Sequence, residues 1–531
     1  MILLQISNIK LGIEKTEEDA YEKALKIAGL TKRDVISWKI LKYSVDARNQ
    51  SQIHKIYTLG IYVASYYKSR KNVRVVEKEK KYSYVVSGKQ ELKSPPMVIG
   101  FGPAGMFAAY LLACGGYRPV IIERGGMVEE RTRAVEKFWQ TGDLDLNCNV
   151  QFGEGGAGTF SDGKLNTGIK DKENRIQFVL ETFVKFGADE KILYDAKPHI
   201  GTDVLKKVVQ NMRKYILEKG GTFYFHTALK DITYEHGSLC KLILSNGKVL
   251  ETDLCILAIG HSARDTFEML YKKGVIMEQK PFAIGVRVEH SQKKINQSQY
   301  GFEDNRLGAA SYKLTYKTKK NRGVYSFCMC PGGYVVDASS ENEMKVVNGM
   351  SYAKRNGENA NSAIVVTVSP KDFPKNHPLS GMEYQRELEK RAYMEGKGQI
   401  PIQRYGDFKK NRTTDKLGTI KPQIKGKYSF ANLNHIFPQY ITEALIEGME
   451  YFGTKIRGFH DEDVVLSAVE TRTSSPVRIL RDEEYQSNVA GLMPAGEGAG
   501  YAGGITSAAI DGMKISEFIA GRYKIPQEET K

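Results

Sequence analysis

The chain has 531 residues, 41% of them hydrophobic, which provides large cores and about two to four domains. Its formal net charge is +16, which fits either an acidic-substrate or nucleic-acid surface or a lysine-rich solvated face. No basic, aromatic-interleaved module stands out, which disfavours nucleic acid as a partner, and six scattered cysteines argue against a disulfide framework. Met1-Ile2-Leu3-Leu4 is too short for a signal sequence, and no apolar run approaches the ~20 residues of a membrane span. The expectation is a cytoplasmic protein without a membrane span.

Residues 1–93 are expected to form a small α+β domain. Ile2 to Ile9 has the pattern of a strand. Thr16 and Asp19 have the spacing of a capping arrangement for a helix that runs to about Ala28 and stops at Gly29. Ser37 to Val45 and Ile53 to Val63 are further strands. The stretch Lys68 to Lys93 is strongly basic, with apolar pairs Val75-Val76 and Val85-Val86, and could dock RNA, a partner or the main domain. Ser94-Pro95-Pro96 is a linker, since proline restricts the chain to extended conformations.

Met97 to Ile99 is a short, buried, parallel-type strand. Gly100, Gly102 and Gly105 follow as G-x-G-x-x-G, then a helix over Ala104 to Ala113 and a second strand, Val120 to Ile122, ending in Glu123. Gly100 permits a tight turn, Gly102 lets the backbone approach a pyrophosphate, and Gly105 lets helix and strand pack closely. The helix start presents free N–H groups to phosphate, and Glu123 is placed for a ribose hydroxyl. The context of strand, helix and acid supports a dinucleotide site over a plain glycine turn.

A polar helix is expected near Val128 to Trp139. Gly153, Gly155 and Gly158 repeat the glycine spacing, but no amphipathic helix follows, so this is no second Rossmann site. Its N–H groups, with Thr159, Ser161 and Lys164, could line an anionic cofactor or its substrate side; an ordinary surface loop is the alternative. Lys164 could hold a substrate carboxylate or be a plain surface lysine. Asp203 is expected to cap a helix that stops at Gly220-Gly221. Thr222 to Phe225 is another parallel strand, Lys230 to Leu250 a small antiparallel meander, and Asp253 to Gly260 a return to the parallel sheet.

Residues 263–440 break this rhythm. Strands over Pro281 to Glu289, Gly323 to Met329 and Ala363 to Val368, and a helix over Gly381 to Glu395, describe an inserted mixed-sheet substrate domain. Asp407 to Ser429 is expected to be loop. Leu492 to Gly504 is a glycine-rich segment feeding a helix from Ile505 to about Ala520, a second anion or dipole site. Residues 441–531 are therefore expected to complete the domain begun at 94–262. Cys328 and Cys330, two apart on a strand, share a face. They are either reactive thiolates or two small buried hydrophobes. His261, after an Ala-Ile-Gly turn, is either a proton donor or a structural histidine. Arg472 and Arg478 could bind an anionic substrate or anchor the loop before the last helix.

Arg264-Asp265, the run Cys328 to Gly333, Asn359 to Ala363, Thr471 to Pro476 and the glycine-rich run from Gly496 together resemble a poorly characterised family of bacterial FAD-dependent dehydrogenase-like proteins. The resemblance covers nearly the whole chain. It implies a two-dinucleotide-binding flavoprotein of α/β class: a Rossmann-type FAD-binding domain, parallel sheet plus meander, with an inserted mixed-sheet domain and the small N-terminal domain. It implies FAD and an oxidoreductase acting on a small organic substrate by hydride transfer at flavin N5. A flavoprotein acting on RNA and a non-enzymatic FAD-binding or electron-transfer protein remain as alternatives. Pro103, Ala104 and Arg124 resemble FAD-type versions of the first motif. By the same resemblance, the main chain at Leu229 would contact adenine, Gly260 would pass the cofactor, and Gly496, Glu497, Gly504 and Ile505 would meet the ribityl chain and pyrophosphate. Glu497 stands where Asp is more usual. The sequence does not reveal the electron donor; no second fingerprint is present, so any NAD(P)H, as a transient donor, would bind transiently or elsewhere. Only Cys148 lies soon after Glu123, which argues against the dithiol route of glutathione-reductase-type enzymes. The reacting centre is expected between the 153–168 loop, His261, the Cys328-Cys330 strand and the 501–505 helix start, with Pro331-Gly332-Gly333 exposing the Cys330 thiol.

Overall fold

Three-residue strands hold a sheet together best where they are buried, and the parallel sheet at the centre of this protein buries three of its five strands completely. The computed structural model describes residues 1–64, 67–68, 70–76 and 80–526. The five-stranded sheet has the order Leu492–Pro494, Cys255–Leu257, Met97–Ile99, Val120–Ile122, Thr222–Tyr224, with every pair parallel. Met97–Ile99, Cys255–Leu257 and Leu492–Pro494 are buried throughout. The helix Pro103–Cys114 packs against the last helix, Ile505–Arg522, in one apolar core, so the two glycine-rich segments at opposite ends of the chain meet over one sheet. The meander Leu229–Glu235, Ser238–Leu244, Val249–Glu251 lies beside it.

A seven-stranded mixed sheet forms the roof. Its order is Thr315–Lys317, Gly323–Cys330, Asn359–Val368, Phe282–Ser291, Val465–Glu470, Ile400–Arg404, Tyr428–Phe430. Phe282, Ile284, Val286 and Val288 alternate into a large core with residues of the helices Ser380–Glu395 and Gln439–Gly453. The opposite face carries Ala283, Arg287, Asn361, Ala363 and Glu470, and it looks down on the parallel sheet.

Some expectations shift. The return to the first domain does not begin at 441. Gln439–Gly453 packs on the roof, and Val465–Glu470 fills the gap between Phe282–Ser291 and Ile400–Arg404. An apolar strand carries no mark of which sheet it will join. The chain regains the parallel sheet at Leu492–Pro494. Asp203 is no cap: the helix runs Thr202–Glu218 behind Gly201, and Asp203 Oδ1 accepts the Ala353 N–H at 2.8 Å. The stretch expected to be loop contains part of the helix Tyr405–Lys409 and the short strands Ile424–Lys425 and Tyr428–Phe430.

The N-terminal sheet has the order Val35–Asp46, His54–Val63, Ile2–Gly12, Val73–Val76, all antiparallel. The helix Glu17–Ala28 packs on it behind the Thr16–Asp19 capping box. The domain is tied to the body by Tyr43 N to Tyr194 O at 2.7 Å and Gln50 Nε2 to Ser298 O at 2.8 Å. Of the basic stretch, residues 69 and 77–79 lie outside the described residues. Its far half docks on the main domain: Tyr82 hydroxyl donates to Glu517 at 2.8 Å, and the Ser87 and Gly88 N–H groups donate to the Ala520 carbonyl. Among the described residues no helix is long and apolar enough to cross a membrane, and no cluster of metal-binding side chains occurs.

Candidate cofactor cleft

The first glycine motif joins strand to helix, and each of its glycines has a different reason. Gly100 has φ +92°, a conformation that L side chains rarely adopt. A Cβ on Gly105 would stand 1.9 Å from the Gly100 carbonyl oxygen, so only a glycine lets the helix approach the end of the strand there. Gly102 differs. A Cβ there would meet nothing nearer than Gly156 Cα at 3.6 Å, an ordinary contact. The protein leaves room at Gly102, and the room faces a cavity of about 350 Å³.

That cavity runs along the carboxyl ends of the parallel strands, where open α/β sheets bind ligands. It is lined by Gly100, Gly102, Pro103, Ala104, Glu123, Arg124, Gly158, Ser161, Lys164, Leu229, Gly260, His261, Cys328, Glu497, Gly504 and Ile505. Among the other candidates, Gly105, Gly155, Thr159, Gly496 and Cys330 lie behind the wall. Gly155 N–H is bonded to the Phe101 carbonyl at 2.8 Å, and Thr159 is fully buried. Gly496, φ +72°, donates its N–H to Asp511 at 2.7 Å. Cys330 is a correction: its thiol is fully buried, and none of Pro331, Gly332 and Gly333 lines the cavity.

Glu123 does more than its spacing suggests. Its carboxylate accepts the Phe101 N–H at 2.8 Å and the Gly125 and Gly153 N–H groups at 3.0 Å. It therefore joins the two glycine loops and keeps about one acceptor direction free. Buried Arg131 completes the arrangement, donating to the carbonyls of Asn149, Val150, Gly153, Glu154 and Gly156. Arg124 pairs with Asp265 at 2.7 Å and lies 4.5 Å over the Phe152 ring.

At the other end, His261 Nδ1 is 3.6 Å from Glu497 Oε1, and His261 Nε2 is buried without a partner. Burial, with Arg472 and Arg264 close by, pushes the imidazole down to about 3. Burial pushes Glu497 up to about 7, with Cys328 adding to the rise and Lys280 opposing it. Near neutral pH the group of this pair that exchanges its proton is thus Glu497, with His261 a neutral imidazole beside it.

The roof supplies Arg287 and Glu470, which no local pattern announced. Arg287 donates to Glu470 at 2.8 Å, to the Cys328 carbonyl at 3.0 Å, to Asn361 at 2.8 Å and to Asn348 at 3.0 Å. Burial pushes Glu470 up to about 6 against the pull of Arg287. Lys164 bonds to the Met329 carbonyl and lies 3.1 Å from the buried carboxylate of Asp162, which Ser351 and Arg355 also hold. Burial alone would lower Lys164; the Asp162 charge more than offsets it, so the ammonium is held charged. Arg472 binds Glu389 at 2.8 Å, and Ser262 and Ser340 through its other nitrogen, so it anchors roof to floor. Arg478 reaches Glu278 at 3.4 Å.

These residues fit FAD. The helix starting at Pro103 has a glycine N-cap that offers no side-chain cap, and the helix starting at Ile505 opens beside Gly503 and Gly504, where a Cβ would meet nothing within 4 Å. Two helix N-termini on one cleft suit a ligand with phosphates and a second electron-rich end. His261 Nε2 is a polar atom that waits for a partner.

Residues 281–473 match the model of the family described as FAD-dependent protein, C-terminal domain-like, and residues 3–62 match a domain of unknown function, DUF8436. Among solved structures, the chain is similar to glycine oxidase from Bacillus cereus ATCC 14579, at 11% identity and TM-score 0.31 over 83% of this chain and 100% of that one. It is also similar to L-proline dehydrogenase from P.horikoshii, at 14% identity and TM-score 0.35 over 82% and 96%. A Clostridium beijerinckii protein, named only "Uncharacterized protein", is 47% identical over 99% of this chain and 100% of its own length. With that identity over its whole length, and with the FAD-dependent family model on its roof sheet, the chain belongs to the bacterial family of FAD-dependent oxidoreductase-like proteins that its motifs resemble.

Proposed function

We propose that the protein oxidises or reduces a small organic substrate in this cleft, with NAD(P)H as a transient electron donor. FAD would supply the redox chemistry, a hydride exchanged at N5. The chain binds and orients. The N–H groups at the start of Pro103–Cys114 hold pyrophosphate, and the free acceptor direction of Glu123 takes a ribose hydroxyl. The helix Ile505–Arg522 points its positive end at the far part of the cleft, where negative charge is best tolerated. The Arg287 face of the roof covers the cleft and excludes water. Glu497 holds or releases a proton within a contact of His261. Lys164 has donated to Met329 and Asp162 and keeps one N–H for a substrate carboxylate.

The observation behind this reading is the space at Gly102, which the protein itself does not need. An absorbance spectrum of the purified protein tests it, and a flavin spectrum is expected. Anaerobic addition of NADH or NADPH is expected to bleach that spectrum. A protein that takes up no FAD overturns the reading; bleaching by neither nucleotide overturns the donor.

A further inference from the structure

The roof strand Gly323–Cys330 does not keep its alternation to the end. Phe327 stands opposite Ala363 and Cys330 opposite Asn361, so three steps on one strand match two on the other. The extra residue is accommodated around Cys328, whose φ is +42°. A non-glycine residue adopts that conformation only where its surroundings enforce it, and bulges of this kind re-aim side chains beside functional sites. The bulge brings Phe327 and Cys330 onto one face, and Cys328 itself lines the cavity.

Two cations hold this segment. Arg287 donates to the Cys328 carbonyl at 3.0 Å and lies 3.9 Å from Cys330 Sγ. Lys164 bonds to the Met329 carbonyl between them. Cys330 Sγ is 3.2 Å from the Cys328 carbonyl oxygen, and both thiols are free. A buried pair of small hydrophobes needs neither a left-handed residue nor two cations bonded to its backbone carbonyls.

We propose that Cys328 and Cys330 are a redox-active dithiol that gives its electron pair to FAD bound in the cleft. This rests on the flavin reading of that cleft. The Cys328 thiolate and the Cys330 thiol lose two electrons and one proton, and an S–S bond closes across Met329. Oxidised FAD takes the same two electrons and one proton, so charge and atoms balance. The reverse reaction opens the disulfide. Cys328 is the member at the cavity, so an external thiol or disulfide would engage it, with Cys330 as the resolving thiol. The charges favour this division: the hydrogen bond from Cys330, with Lys164 and Arg287 near, pulls the Cys328 thiol down against burial, while burial and the Cys328 sulfur push Cys330 up.

The test uses the holoprotein. Reductive titration with dithionite under anaerobic conditions should consume about four electrons per flavin in the natural protein and about two in Cys330→Ser, since a disulfide is a two-electron couple. Independently, the natural protein is oxidised with diamide, unfolded in denaturant, alkylated and digested. The tryptic peptide 323–345 contains Cys328 and Cys330 and no other cysteine. It should resist alkylation until a reductant is added. A titration that ends at about two electrons in the natural protein, or a peptide alkylated at both positions after diamide, overturns the proposal. Flavin present without the extra electrons overturns the dithiol alone; a protein that binds no FAD overturns the cleft reading with it.

Discussion

Floor and roof of the cleft are built on different principles. The floor is built of backbone: glycines, two helix starts, and carbonyls held in place by Arg131. The roof works with buried charge: Arg287 with Glu470, and Arg472 and Arg264 with Glu389. Backbone sites tolerate little added volume, whereas buried charges tolerate little loss of a partner. That difference teaches where each half is fragile.

Removing a roof charge should therefore have the largest effect. Arg287→Met leaves Glu470, Asn361 and the Cys328 carbonyl without their donor. A loss of about 3–5 kcal/mol is expected in denaturant unfolding, as for other broken buried pairs. A loss below about 1 kcal/mol would erase the contrast with the floor.

The pH response of the Glu497–His261 pair comes next. Glu497 is raised to about 7, so its contribution to stability is present below the usual carboxylate range and is lost as pH rises towards 7. His261 is depressed to about 3, so its contribution is present above about 6.5 and is lost as pH falls towards 3. The two slopes oppose each other between about 4.5 and 6.5. Glu497→Gln removes the first. Relative to the natural protein, the flavin-free variant should gain up to about 3 kcal/mol as pH rises from 4.5 to 7 and stay level above it. Parallel stability curves for the two proteins would show that the acid is not raised.

Two floor glycines sharpen the comparison. Gly105→Ala drives a Cβ against the Gly100 carbonyl and should cost about 1–3 kcal/mol and flavin together. Gly102→Val should cost no more than about 1 kcal/mol, the loss of a glycine N-cap, yet abolish FAD uptake. A Gly102→Val protein that retains its full flavin spectrum contradicts the assignment of the first helix start to the pyrophosphate. The smallest effect is expected on the outside of the roof. Lys320 and Glu443 pair at 2.7 Å with Lys320 77% exposed, and Lys320→Ala should change thermal stability by less than about 0.5 kcal/mol. A larger change would mean that position, inside or outside, does not govern the worth of charge here.

The floor was legible because its signals are local. Met97 to Ile99, Gly100, Gly102 and Gly105 specify strand, turn and helix within a dozen residues, and the strand bounds at Met97–Ile99 and Val120–Ile122 are those expected. Thr16 and Asp19 were legible for the same reason. The inserted sheet was legible as strands but not as partners, which is why the 465–470 strand was assigned to the wrong domain.

The sequence by itself determined the dinucleotide fold, the glycine-lined cleft and the convergence of both ends of the chain upon it, because turn chemistry and helix starts act over a few residues. Tertiary structure alone decided the chemistry of the roof. Arg287 meets Glu470 across 183 residues, Arg355 meets Asp162 across 193, and Lys164 meets Met329 across 165. It also decided that Cys328 faces the cavity while Cys330 is buried, since a bulge depends on register with a neighbouring strand. The proton of the Glu497–His261 pair is a tertiary property too: burial, which no stretch of sequence states, sets which group carries it.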